Sequence, residues 1–149
     1  MNISSEIEQF ILSVLGGGDE ITLSRNELAQ YFSVAPSQIN YVLSTRFTIA
    51  RGFIVKSRRG GGGGITLVRI AGGDDPVSGQ LKEVSGADTL PENRARDMVD
   101  RLVRAQAVTE REKALILASL SAKALDGAKE SGRLRRNIYR EILIALMRK

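Results

Sequence analysis

Between Leu28 and Gly73 the chain holds no acidic residue and six basic ones: Arg46, Arg51, Lys56, Arg58, Arg59 and Arg69. The same stretch carries Ser37, Gln38, Asn40, Tyr41 and Thr45 at close spacing. Guanidinium groups pair with phosphate oxygens through charge-assisted, often bidentate hydrogen bonds. Asn and Gln amides donate and accept at base edges, and hydroxyls serve edges or phosphates. The chemistry these types can do together is recognition of a nucleic acid. The other residues carry 16 basic and 17 acidic side chains, so a formal charge of +5 conceals a concentrated basic segment. Charge alone leaves a solvated basic face as an equal alternative.

Bond-making chemistry has little to work with. The 149 residues include no His and no Cys, which removes His-based general-base catalysis, thiol nucleophiles, disulfides and thiolate or imidazole metal sites. Asp97 with Asp100 and Glu110 with Glu112 read most simply as solvated helix faces. The glycine run does not fit a P-loop, since Gly64 leads into Ile65 and Thr66 without the lysine that motif needs. The expectation is a protein with no catalytic residues, no metal and no cofactor.

The elements that would position these side chains follow from periodicity. Ile3, Ile7, Phe10, Ile11, Val14 and Leu15 trace one helix face, and Gly16-Gly17-Gly18 stops it. Ser5 with Glu8 has the spacing of a capping box. Glu20 to Leu23 alternates as a short strand. Ser24 to Glu27 forms a second capping box before Leu28, Ala29 and Phe32. Pro36 suits the first turn of a further helix with Ile39, Val42 and Leu43 on its buried side. Phe53 to Ser57 and Ile65 to Ile70 alternate as two strands around Arg58, Arg59 and Gly60 to Gly64, a hairpin. Helix, turn, helix and hairpin is the order of a winged helix-turn-helix, whose second helix enters the major groove. Arg46 at that helix's end and Arg25 at the start of the preceding one are placed for phosphates.

The hairpin tip suggests more. Two arginines followed by glycines let backbone approach DNA closely, and a narrow minor groove attracts arginine. Ordering five glycines costs on the order of 1–2 kcal/mol each in backbone entropy, so binding through this tip should weaken on heating. A tip that makes no contact is the plain alternative.

After Ala71 to Pro76 the pattern changes. Val77 to Asp88, broken by Gly79 and Gly86, reads as a weak helix or a linker. Pro91 opens a helix using Ala95, Met98, Val99, Leu102 and Val103. Thr109 to Glu112 caps another, with Ala114, Leu117, Ala118, Ser121 and Leu125 on its face. A last helix presents Leu134, Ile138, Ile142, Ala145 and Leu146. The expected domains are 1–70, 71–90 as linker or weak helix, and 91–149 as an all-helical unit. The acidic, polar start at Met1 to Glu6 and a longest aliphatic and Met run of six residues, Ile142 to Met147, suggest a cytoplasmic protein without a membrane span, and the DNA-binding reading makes it nucleoid-associated.

The run Pro36-Ser37-Gln38-Ile39-Asn40-Tyr41-Val42, then Thr45-Arg46-Phe47-Thr48, Arg51-Gly52-Phe53-Ile54-Val55 and Ser57-Arg58-Arg59-Gly60-Gly61-Gly62-Gly63 closely resembles the CtsR family. These are repressors of class three stress (heat-shock) genes in low-GC Gram-positive bacteria. The resemblance is dense over residues 3–70, fades through 71–94 and returns as a looser helical pattern. It implies an α+β winged helix-turn-helix followed by an all-α dimerisation domain, a helical bundle formed between protomers of a homodimer. It further implies double-stranded DNA with tandem heptads as operator, ahead of Clp protease and chaperone genes, and a glycine wing that releases DNA when warm. A protein-arginine kinase would modify Arg59, and Clp ATPase and protease would remove the released repressor. Two positions depart from the family. Gly64 stands where an aromatic usually follows four glycines, and residues 77–88 carry more glycine than the family's helix there. Arg25, Ser37, Gln38, Asn40, Tyr41, Thr45, Arg46, Arg58, Arg59, Gly60, Gly61 and Gly62 are thus the expected DNA-binding set, with Gly60, Gly61, Gly62, Gly63 and Gly64 as thermosensitive wing. The rival is a protein-interaction adaptor for a Clp protease or kinase, with only auxiliary, non-specific DNA binding.

Overall fold

A computed structural model describes residues 2–57, 63–70 and 75–147, and the chain divides into two compact units, 1–71 and 72–149. Each is built around its own core.

The first unit opens with α1 (Ile3–Leu15), whose first turn is capped by Asn2: its side-chain oxygen accepts from the Ser5 amide at 2.8 Å. The capping box expected from Ser5 and Glu8 is therefore not what starts the helix, and Glu8 is engaged elsewhere. Gly16, at φ 55°, closes α1 by donating its N–H to the Leu12 carbonyl. That left-handed conformation is cheap for glycine and strained for residues with a Cβ. β1 (Glu20–Ser24) leads directly into α2 (Arg25–Phe32), with Ser24 both the last strand residue and the cap that accepts from the Glu27 amide at 3.2 Å. After a turn through Ser33, α3 (Pro36–Arg46) starts on its proline. A 3-10 turn, Ile49–Arg51, then precedes β2 (Phe53–Ser57) and β3 (Gly64–Arg69).

The three strands are antiparallel in the order β1-β3-β2, with Ile21 opposite Leu67 and Val55 also opposite Leu67. Ile65 and Leu67 point into a core completed by Ile7, Ile11 and Leu15 of α1, Leu28 and Ala29 of α2, Ile39, Val42 and Leu43 of α3, and Phe47. Helix, strand, helix, turn, helix and hairpin is the expected order.

Among its described residues the second unit holds four helices. Residues 77–88, left between weak helix and linker by their glycines, fall largely in α4 (Pro76–Ser85), a ten-residue helix that buries Val77, Ser78, Gln80, Leu81 and Val84. Asp75 caps its N-terminus by accepting from the Val77 amide. Tertiary burial of this face outweighs the propensity cost of Gly79. α5 (Glu92–Arg104) buries Ala95, Met98, Val99 and Leu102 as its spacing predicts. α6 (Glu110–Leu120) carries the expected reciprocal capping box between Thr109 and Glu112.

The buried faces of α6 and of α7 (Ser131–Leu146) differ from those the apolar spacing predicts. α6 buries Ile116 and Leu120, whereas Ala114 and Ala118 are exposed. α7 buries Arg135, Tyr139 and Leu143, and Leu134 is 40% exposed. The cause is a polar network that hydropathy counts against burial. Arg135, only 5% exposed, donates from Nε to the Leu120 carbonyl at 2.6 Å and from Nη1 to the Leu90 carbonyl at 2.9 Å. Tyr139 donates its hydroxyl to Gln80 Oε1, and Gln80 Nε2 donates to the Met98 carbonyl at 2.8 Å. Leu134, Ile138 and Ile142 are left as a stripe that this unit does not fully cover.

Burial pushes the Tyr139 phenol above its ordinary value of 10.0. The folded state therefore retains that proton at pH values where the unfolded chain has lost it, so its contribution is complete below about pH 10 and declines as pH rises further. Tyr139→Phe leaves Gln80 Oε1 unpaired and should cost about 1–3 kcal/mol near neutral pH. In denaturant titrations the difference between wild type and variant should shrink above pH 10.

Candidate nucleic-acid interface

α3 is held by its apolar side and turns the opposite side outward. Ser37, Asn40, Tyr41, Ser44 and Thr45 are all exposed, Tyr41 by 55%. Because Ile39, Val42 and Leu43 are buried, the 3.6-residue period places these five on the solvent side. The hydroxyls of Ser44 and Thr45 donate to the Tyr41 carbonyl at 3.1 and 2.7 Å, which fixes their rotamers and leaves their oxygens able to accept. Asn40 and Tyr41 carry outward-facing donors and acceptors, the types that read base edges. Ser44 was not among the sequence candidates; the two-residue step from Val42 and its exposure bring it in.

Two candidates are turned toward the body of the head. Gln38 donates from Nε2 to Ser4 Oγ of α1 at 2.9 Å. Arg46 donates from Nη1 to Glu8 Oε1, also of α1, at 2.7 Å, and Arg51 lies 3.8 Å from the other oxygen of that carboxylate. Ser4 and Glu8 sit 34 and 38 residues before their partners, a separation that no local spacing rule detects. One Arg46 nitrogen is committed to Glu8, and the planar fork leaves further N–H groups.

Arg25 belongs to the root of the hairpin. Its Nη2 donates to Ser57 Oγ at 3.0 Å, at the end of β2, and its backbone N–H donates to the Gly63 carbonyl at 2.9 Å, just before β3. One residue thereby ties both hairpin strands to the start of α2. Gly63 has φ 66°, and a Cβ there would approach the Arg25 Cβ to 3.2 Å. Gly64 begins β3 opposite Ser24. Arg58, Arg59, Gly60, Gly61 and Gly62 lie outside the described residues. Arg69 is spent within the fold, donating to the Gly16 carbonyl at 3.0 Å. Among the described residues no group of three or more Asp or Glu is placed to hold a metal ion, and no helix is long and apolar enough to cross a membrane.

Three helices, a three-stranded sheet ending in a hairpin, and a polar face on the last helix of the trio define a winged helix-turn-helix head. A family model described as the CtsR N-terminal HTH domain matches residues 2–71, and one described as the CtsR C-terminal dimerization domain matches residues 84–144. The chain belongs to the CtsR family. It is 39% identical over 125 residues to the transcriptional regulator CtsR of Lactiplantibacillus plantarum, covering 83% of this chain and 80% of that one. It is 37% identical to the Geobacillus stearothermophilus CtsR, with 83% and 82% covered. Against the Bacillus subtilis CtsR the identity is 35%, with the same coverage. A crystal structure of CtsR in complex with a 26bp DNA duplex aligns over 99% of this chain and 100% of that one, with a TM-score of 0.50 and 33% identity.

Replacing Gly63 by Ala combines a strained left-handed φ with the tight approach to Arg25. Gly63→Ala should destabilise the head by about 1–2 kcal/mol, read as an earlier unfolding midpoint in urea.

Proposed function

We propose that the chain is a sequence-specific, DNA-binding transcriptional repressor of stress genes that acts as a homodimer on directly repeated heptads. The observation that carries this reading is the exposed polar face of α3 set within a segment free of acidic residues from Leu28 to Gly73. The CtsR solved with a 26bp duplex, at 33% identity, supports the choice of ligand. In this reading Ser37, Asn40, Tyr41, Ser44 and Thr45 approach base edges or nearby phosphates. Arg25, Arg46, Arg58 and Arg59 meet the phosphate backbone, where counterion release supplies affinity. Gln38, whose Nε2 donates to Ser4 Oγ, braces α3 against α1. The partly covered stripe of Leu134, Ile138 and Ile142 together with Leu115, 64% exposed, supports pairing of two C-terminal units through α6 and α7.

The regulation proposed runs through glycine and arginine. Of the proposed wing Gly60–Gly64, Gly63 and Gly64 are already held at the root of the hairpin, so the backbone entropy paid on engaging DNA, a cost that grows with temperature, falls to Gly60, Gly61 and Gly62. Arg59 is the proposed kinase target: a phosphate there turns attraction toward the DNA backbone into repulsion. Removal by Clp machinery would follow release.

A mobility-shift titration on a tandem-heptad duplex against random duplex, repeated at rising temperature, tests the reading. Preference for the heptads and weakening on heating are expected; equal affinity for random duplex, or a monomer by light scattering, would refute it. Arg59→Ala should reduce the slope of log affinity against log salt by about 1. Asn40→Ala should cost about 1–3 kcal/mol and relax selectivity at one base pair with the salt slope unchanged.

A further inference from the structure

Ser4 and Glu8 lie one turn apart on α1, on either side of the buried Ile7. Gln38 and Arg46 lie at opposite ends of α3 and flank Ile39, Val42 and Leu43. The α1–α3 contact is thus an apolar seam with a polar pin at each end, the Ser4–Gln38 bond at 2.9 Å and the Glu8–Arg46 pair at 2.7 Å. Apolar contacts have no directional preference and allow a short helix to roll or slide. Hydrogen bonds, above all charge-assisted ones, are short and angle-dependent and remove that freedom.

Glu8 is also out of keeping with its surroundings. It is a carboxylate in a head that would face a polyanion, it is 17% exposed, and it engages both Arg46 and Arg51. By charge alone it opposes DNA binding. We infer that Glu8 is a positioning residue for operator recognition, holding Arg46 and the C-terminal end of α3 so that Asn40, Tyr41 and Thr45 meet base edges in register. This rests on the DNA-binding reading above and adds to it a residue that never touches DNA.

Removing the Glu8 charge has two effects of opposite sign. Glu8→Gln keeps the side-chain size and removes one negative charge. Binding to any duplex gains from the charge; binding to the correct sequence loses from misplacement of α3. The test uses the full-length chain, a duplex selected by the wild-type chain from a randomised pool, and a scrambled duplex of equal length, with affinities read by fluorescence anisotropy. Glu8→Gln should weaken binding to the selected duplex by about five- to tenfold, the discrimination lost with one misplaced base contact, without weakening binding to the scrambled one. A rise in both affinities that leaves their ratio unchanged would overturn the inference. So would an equal loss on both duplexes together with a lowered melting temperature, since that marks a carboxylate that only stabilises the fold.

Arg46→Lys gives an independent arm, because it keeps the charge and discards the planar fork. It should lower the same ratio, and the double variant with Glu8→Gln should lose no more selectivity than the more affected single variant. Fully additive losses would overturn the inference. A wild-type chain that selects no sequence would refute the DNA-binding reading and this inference with it. A selective wild type with an unchanged ratio in Glu8→Gln refutes the inference alone.

Discussion

The head depends on α3 burying one narrow apolar edge. Ile39, Val42 and Leu43 are all the apolar material that this eleven-residue helix offers apart from Tyr41, and all three are inside. So little edge cannot settle the helix's orientation by area alone, and the structure compensates in three ways. Pro36 presets the first turn, Phe47 follows the helix into the core, and polar bonds to α1 hold both ends. Everything that gives the head its outward polar face follows from this economy. A helix with a broader apolar stripe would pack more firmly and would have fewer positions left to meet a ligand.

Most of the head was legible in the chain because its local signals agree with its tertiary packing. Ser24 with Glu27, Pro36, the alternation of Phe53 to Ser57 and the glycines each mark an element that the structure contains. Agreement between local preference and global fold is what lets a single sequence be read this far. The exposed members of the candidate site, Ser37, Asn40, Tyr41 and Thr45, came from the same period. Gln38 shows the limit: its helical position predicts partial exposure, but only the fold brings Ser4 within reach of its amide.

The second unit was harder to read for a definite physical reason. Hydropathy assigns Arg135 and Tyr139 to the surface, and their burial shifts the inner face of α7 by one residue, about 100° around the axis. Burying an arginine is costly unless its N–H groups are satisfied. Here the carbonyls of Leu120 and Leu90 accept two of them, one at the last residue of α6 and the other just ahead of α5. These bonds tie two other segments of chain to one side chain of α7. They also explain why the stripe at Leu134, Ile138 and Ile142, which looks like core in the sequence, is only partly covered by this unit.

Ser24 has two duties: it pairs opposite Gly64 in the sheet, and its hydroxyl starts α2. The next residue, Arg25, extends the association by donating its backbone N–H to the Gly63 carbonyl. Sheet register and helix start are therefore a single mechanical joint. A slip of one residue between β1 and β3 would reverse the faces of the strand and carry the helix cap away from its partner at once. The joint behaves like a keyed coupling, in which the hairpin root and α2 turn together or not at all. Whatever displaces the root of the hairpin must also work against the first turn of the helix-turn-helix.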